Sequence, residues 1–411
     1  MLFLRNYFLL VYAVFGIISI SYYLINANRS VNYKHKQKKL NKTDTYKDVT
    51  ILVPVYNEAL NSFERCIKSV KKQNTNFIVV GDSSYEPYKT ITESNGGTFI
   101  YKEVREGKRK ALSTGINYVK TKYVMFLDSD TTLPKNAVKK VVSKFDVKVG
   151  GVGVGVSIRL KKNWVSYSAE FFEKIKEVML SAMSNSGSVM VLDGRCCTYK
   201  TDLIKDFLNS DEYRENLLFG IKSNLAEDRH ITSYVARMGY QTLIDYSVYV
   251  KTEPQKSFSK FAKQMIRWSR AGYLYFFKEL FDKTYFKRGK FYTFEMVYLY
   301  VFPIFILLMG IFRLDFYLTT GASNILSQYT FMLYHLASLD FIRFHVGRLI
   351  YLLITFGNLF AITIFGLAIY IRVHKRRKRT FILGGLALLM MFFTSIYGLF
   401  TLWKQRSWIT R

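Results

Sequence analysis

The stretch YVMFLDSDTTLP (residues 123–134) runs hydrophobic through Leu127 and then sets two carboxylates, Asp128 and Asp130, one residue apart. A five-residue apolar run closed by polar turn formers reads as a short buried strand. Working outward from it, VTILVPV, FIVV and TFIY are further β-branched and aromatic runs. Helical stretches separate them, among them residues 108–119. That alternation predicts an α/β sheet with crossover helices between residues 49 and 130. Ligands of such sheets bind beyond the carboxyl ends of the strands. Tyr56, Asn57 and Glu58 follow the first strand, Asp82 the second, and Asp128 and Asp130 the last, so all should converge on one edge.

Composition narrows the class. Half of the 411 residues are hydrophobic and 17% are aromatic, a balance usual where a bilayer is part of the solvent. Sixty basic against 30 acidic residues give a net charge of +30. Such an excess favours anionic partners, or else serves solubility and orientation in a bilayer. The three cysteines, Cys66, Cys196 and Cys197, have neither the spacing of a disulfide framework nor that of a zinc site. Their scarcity suits a reducing compartment.

Residues 7–25 (YFLLVYAVFGIISISYYLI) are uncharged and mostly apolar. As a helix they would rise roughly 28 Å, close to the hydrocarbon thickness of a bilayer. They lack the short apolar core and small-residue cleavage site of a signal peptide, so a retained transmembrane helix is expected. The basic run at residues 29–47 should follow it on the cytoplasmic side. Further apolar blocks lie at 294–312, 349–371 and 381–402, with the basic cluster HKRRKR at 374–379 between the last two. The expected organisation is a transmembrane helix over 1–28, a catalytic domain over 29–255, amphipathic interfacial helices over 256–292, and a membrane region over 293–411. Within the last, 381–402 is expected to be interfacial or re-entrant. The glycine-rich GGVGVGV (150–156) has neither the Walker lysine nor the dinucleotide spacing, and its valine alternation reads as a close-packed strand.

Several segments carry residues suited to chemistry. Asp130 offers hard oxygen to Mg²⁺ or Mn²⁺, with phosphates and water completing the shell; the alternative is a helix cap or a loop pair of acids. EGKRKAL sets Lys108, Arg109 and Lys110 at a helix start, a place for phosphate or merely a solvated basic turn. AEDRHIT holds Glu227 and Asp228, where an acid in a cleft could deprotonate a hydroxyl, though a surface salt bridge is the commoner use. QMIRW puts Gln264, Arg267 and Trp268 on one helix face. Arginine can clamp a phosphate, and tryptophan offers a sugar ring a flat platform or a membrane interface an anchor.

Taken in order, VPVYNE, VVGDSS, EGKRKAL, FLDSDTTLP, AEDRHIT and QMIRW resemble the processive family 2 glycosyltransferases. The likeness is strongest to the hyaluronan synthase, chitin synthase and Nod-factor chitooligosaccharide synthase branch. It implies a Rossmann-like GT-A domain with transmembrane and interfacial helices. It also implies a catalytic base at Asp228, a metal ligand at Asp130, and Mn²⁺ or Mg²⁺ as cofactor. Donor contacts are implied at Tyr56, Glu58, Asp82, Lys108, Asp128, Gln264 and Arg267, and at Trp408 and Arg411 of a terminal KQRSWITR gating-type segment. Acceptor contacts are implied at Cys196, Cys197, Glu227 and Trp268. In the priming-loop segment, Asp193 and Arg195 depart from the family's usual Ser-Gly-Pro.

The expected activity is inverting transfer of a sugar, N-acetylglucosamine first among candidates, from a UDP-sugar to a growing β-linked polysaccharide or oligosaccharide, with or without export. Membrane lipids are expected partners and nucleic acid is not. The expected location is the cell membrane, multi-pass, with the catalytic domain in the cytoplasm. Two rival readings are a transferase adding one sugar to a lipid acceptor such as polyprenyl phosphate, and a catalytically silent scaffold binding polysaccharide.

Overall fold

The computed structural model describes residues 2–33, 46–223, 225–320, 346–373, 378–385 and 387–404. Trp408, Arg411, most of the basic run at 29–47 and most of HKRRKR lie outside them.

The hydrophobic runs form the strands β1 (Val49–Val55), β2 (Asn76–Asp82), β3 (Thr98–Lys102) and β4 (Tyr123–Leu127). Between them lie the helices α2 (Leu60–Lys71), α3 (Tyr88–Ser94) and α4 (Lys108–Ile116), after an N-terminal helix α1 (Leu2–Val31). β1, β2, β3 and β4 are mutually parallel, with Val55 beside Gly81 and Leu52 beside Phe126, so their carboxyl ends share one edge as expected. The chain then adds α5 (Ala137–Val142), β5 (Val149–Ile158), α6 (Trp164–Ser184), β6 (Cys196–Lys200), α7 (Thr201–Asn209) and α8 (Asp211–Glu215). A small hairpin of β7 (Leu217–Leu218) and β8 (Ile221–Lys222), then α9 (Glu227–Arg237) and β9 (Gln241–Thr252), complete the sheet region. The seven-stranded order is β3-β2-β1-β4-β6-β5-β9, and β6 runs antiparallel to both neighbours.

Period-two alternation divides the core between the two faces of this sheet. Ile51, Val53, Met125 and Leu127 pack with α2 and α5 on one side, while Leu52, Val124 and Phe126 pack with α4, α7 and α9 on the other. The GGVGVGV segment is strand β5, as its valine alternation suggests. Its glycines keep room for neighbours: a Cβ on Gly151 would stand 2.6 Å from Leu192 Cδ1, and one on Gly153 2.7 Å from Ile244 Cδ1.

After β9 come α10 (Phe258–Phe281), α11 (Thr284–Arg288), α12 (Lys290–Thr320), α13 (Val346–Arg372), α14 (Arg379–Gly384) and α15 (Ala387–Leu399). Three helical segments, Leu10–Val31, Lys290–Ile311 and Leu352–Arg372, are long and apolar enough to cross a membrane. α1 and α12 run antiparallel, since Asn26 meets Glu295, Tyr22 stacks on Tyr298 and Phe15 on Phe305. α1 and α13 run parallel, with Tyr12 bonded to Thr355 and Arg372 donating to the Ser30 carbonyl. Val31, Lys290 and Arg372 therefore lie at one end of the cluster.

α1 continues past the expected end of the apolar run because its last turns are seated in the protein: Ala27 belongs to a cluster with Phe171, Ile175 and Val178 of α6. The block 381–402 is not one helix. It breaks after Gly384, and the 13 residues of α15 rise only about 20 Å, short of the roughly 30 Å a span needs. α15 lies along α10, with Gly398 against Ser269 and with Tyr273 bonded to Ser395.

Candidate active site

β4 ends at Leu127, and the backbone N–H of the next residue, Asp128, donates to the Arg195 carbonyl just before β6. Just beyond, Thr131 Oγ1 donates to Asp130 Oδ1. Asp128 Oδ1 is 2.6 Å from Lys108 Nζ, at the start of α4. The same ammonium is 2.8 Å from Glu227 Oε1 and donates to the Gly194 carbonyl at 3.2 Å. A lysine ammonium has three donors, and these three acceptors use them. To reach a diphosphate, Lys108 would have to exchange one of them.

This lysine sets the charge state of its neighbours. Burial would lower its own pKa, but Asp128 and Glu227 outweigh that and raise it. Burial would raise Glu227, and Lys108 reverses the sign and holds it below the ordinary range. For Asp128 burial prevails over Lys108, so its pKa is raised.

Asp228 sits in the first turn of α9. Its Oδ2 accepts the Gly194 N–H at 3.0 Å and its Oδ1 the Arg229 N–H at 2.8 Å. Burial, then the charges of Glu227 and Asp193, push its pKa up to about 6 despite Lys108 nearby. A half-buried carboxylate poised near neutrality suits general-base catalysis. Arg229 and His230 of the same motif tie α9 to the rest of the protein. Arg229 donates to the Gly272 carbonyl and to Tyr300 of α12, and His230 bonds Arg109. Burial depresses His230 to about 4, so the imidazole is neutral at physiological pH.

At the end of β2, Asp82 accepts the backbone N–H groups of Glu106 and Gly107, at 2.9 and 2.7 Å. Both its oxygens thus shape the turn into α4, which Gly107 completes at φ +91°. Tyr56 lies under the Arg105 guanidinium, 3.8 Å from the ring centroid, and Glu58 accepts from Ala59 N–H and Ser129 Oγ. Gln264, Arg267 and Trp268 share a half-buried face of α10. Trp268 stacks on Phe172 of α6, with 5.4 Å between centroids.

Cys196 and Cys197 depart from the acceptor-contact expectation. Strand alternation sends one thiol into each core, and each residue is only 1% exposed. The half-buried residues of this segment are Asp193 and Arg195, in the turn Asp193–Gly194–Arg195 that precedes β6. Glu173 and Lys176 of α6 reach that turn. Neither was singled out from the sequence; the signal available was the opposite charges at 173 and 176, a spacing that sets them side by side on one helix face.

Residues 98–271 match the family described as glycosyltransferase like family 2, and residues 218–369 that described as glycosyl transferase family 21. The sheet and its helices have the GT-A fold, and the stretch matched by the first of these resembles a family 2 glycosyltransferase. The chain is 28% identical over 239 residues to an N-acetylglucosaminyltransferase of Azorhizobium caulinodans, covering 55% of this chain and 59% of that one. It is 30% identical over 208 residues to hyaluronan synthase 2 of Xenopus laevis, covering 49% and 37%. The chain thus spans about half the length of the curated relatives it matches. Among solved structures, a mannosyltransferase from Pyrobaculum calidifontis, in complex with GDP-Man and Mn²⁺, shares the fold at a TM-score of 0.59 and 17% identity. That alignment covers 95% of this chain and 98% of that one.

Proposed function

We propose that this glycosyltransferase transfers N-acetylglucosamine from its UDP donor, with inversion, to a hydroxyl of a growing β-linked saccharide. The observation that carries the reading is Asp228: a carboxylate titrating near 6, aimed by the Gly194 N–H, within one turn of the Lys108 hub. Asp228 takes the proton of the attacking hydroxyl. Gly194 and Arg229 fix its two oxygens, so the base does not have to be ordered during reaction. In this reading Arg267 receives the departing diphosphate, and Trp268 with Phe172 offers the acceptor sugar a flat apolar face. The relatives named N-acetylglucosaminyltransferase and hyaluronan synthase support this sugar and this acceptor class.

A divalent ion fits the donor chemistry at the end of β4. Asp130 supplies hard oxygen there, and among the described residues no three acids, histidines or cysteines converge on one point. That suits Mn²⁺ or Mg²⁺ completing its shell with substrate phosphates and water. When bound, the ion neutralises charge on the leaving diphosphate. The helix ends at Val31, Lys290 and Arg372 support placing the catalytic domain on one membrane face, taken here as the cytoplasmic one.

A second reading is transfer of one sugar to a lipid acceptor, which the three membrane-length helices among the described residues would bring close to the active site. Product length decides between them. The protein in bilayers is incubated with a panel of UDP-sugars, released UDP is recorded, and products are sized by mass spectrometry. A ladder of saccharides from the N-acetylglucosamine donor is expected. A single glycolipid supports the second reading, and undiminished UDP release by Asp228→Asn overturns the assignment of the base.

A further inference from the structure

The Asp193–Gly194–Arg195 turn touches three of the candidate catalytic groups through its backbone alone. Its Gly194 N–H holds Asp228, its Gly194 carbonyl holds Lys108, and its Arg195 carbonyl holds the Asp128 N–H. A side chain at Gly194 would crowd both groups, since a Cβ there would stand 2.9 Å from Lys108 Nζ and 3.3 Å from both Cβ and Oδ2 of Asp228. Small errors in this turn therefore move base and lysine together.

What fixes the turn is a set of four charges. Arg195 Nε donates to Asp193 Oδ1 at 2.8 Å, and its terminal nitrogen is 2.7 Å from Glu173 Oε1. Lys176 Nζ is 2.7 Å from Asp193 Oδ2 and 3.2 Å from Glu173 Oε2. The ring closes with two positive and two negative groups, largely shielded from water. A group removed singly would leave a poorly solvated charge without its match. Asp193 is consequently held well below the usual carboxylate range by Arg195 and Lys176, which outweigh its burial.

Two of the four, Glu173 and Lys176, come from α6, and α6 is itself immobilised. Phe171, Ile175, Val178 and Met179 pack against Ala27 of α1 and Phe365, Ala368 and Ile369 of α13. One turn beyond Glu173, Glu177 accepts from Tyr249 and pairs with Lys174.

We propose that Glu173 and Lys176 are positioning residues: they clasp the Asp193–Gly194–Arg195 turn from the apolar helix cluster, and the turn in turn aims Asp228. Asp193 and Arg195, on either side of Gly194, supply the two partners the α6 charges need. The inference rests on the assignment of Asp228 as base. Neither α6 residue is required to touch the donor or the reacting atoms.

The test uses the full-length protein in bilayers, with UDP release measured at varied UDP-N-acetylglucosamine. Glu173→Gln and Lys176→Met are each expected to lower kcat by about tenfold or more while the donor KM stays within about twofold, because the nucleotide contacts are untouched. Lys176→Arg, which keeps the charge, should recover kcat to within about threefold of the parent. The double variant Glu173→Gln/Lys176→Gln removes one charge of each sign and serves if a single variant fails to fold; it too should lose kcat. A kcat unchanged in a folded single or double variant overturns the proposal. So does a donor KM that rises in proportion, or a Lys176→Arg no better than Lys176→Met. Absence of UDP release in the parent protein would instead remove the assigned activity itself.

Discussion

Replacing Lys108 by methionine separates the electrostatic reading of the site from a simple loss of a substrate contact. Lys108 Nζ and Asp228 Oδ2 lie 2.9 and 3.3 Å from the place a Cβ on Gly194 would take, so they are at most about 6.2 Å apart, worth about 2.7 kcal/mol at an effective dielectric of about 20. That corresponds to about two pH units. Solvent reaching the part-exposed carboxylate reduces it, and about one unit is the expected minimum. The variant also frees Glu227 from its counter-ion, and Glu227 acts on Asp228 in the same direction. Asp228 must be ionised to act as base, so activity falls as pH drops through its pKa. In the parent protein the acid limb of kcat/KM for UDP release should lie near 6. In Lys108→Met it should lie near 7 or above. The assay is UDP release from pH 5 to 9 at subsaturating donor. A uniformly reduced rate with the limb still near 6 would refute the electrostatic account and leave Lys108 only a binding role.

Other outcomes follow from the same geometry. Asp228→Asn should abolish transfer yet stabilise the protein at pH 8. A carboxyl raised to about 6 loses stability as pH climbs through that value, so removing its charge should return about 1–2 kcal/mol, visible as a higher melting temperature at pH 8 but not at pH 4. Chelation with EDTA should stop UDP release and Mn²⁺ or Mg²⁺ restore it, and Asp130→Asn should raise the metal concentration needed; full activity in EDTA contradicts this. Gly151→Ala forces a methyl to within 2.6 Å of Leu192 and should destabilise the domain by about 1–3 kcal/mol, read as a lower thermal midpoint. Trp268→Ala should raise the acceptor KM by about tenfold with the donor KM unchanged; a change confined to the donor would move Trp268 to the nucleotide side.

How legible the site was depended on the range of the interactions involved. The edge-on convergence of Tyr56, Glu58, Asp82 and Asp128 follows from strand ends in a parallel sheet, which a hydrophobic pattern reveals residue by residue. The partners of those side chains do not follow. Asp82 has its oxygens filled by the turn at Glu106 and Gly107, and Lys108 is saturated by acids up to about 120 residues further along the chain. Cys196 and Cys197 were expected at an acceptor surface, because a motif match carries position but not which side of the backbone faces the site. β6 is the antiparallel strand between β4 and β5, and its pleat directs both thiols inward.

The sequence by itself determined the α/β class, the strand reading of GGVGVGV, the apolar helices, and Asp128, Asp130 and Asp228 as the acids to watch. Those rest on local periodicity and on motifs within a few residues. Only the tertiary structure decided that Lys108 binds two of the acids, that the Gly194 backbone holds Asp228, and that Glu173 and Lys176 reach across from α6. Charges far apart in sequence acquire their partners and their pKa values only when packing removes water and sets the distances between them.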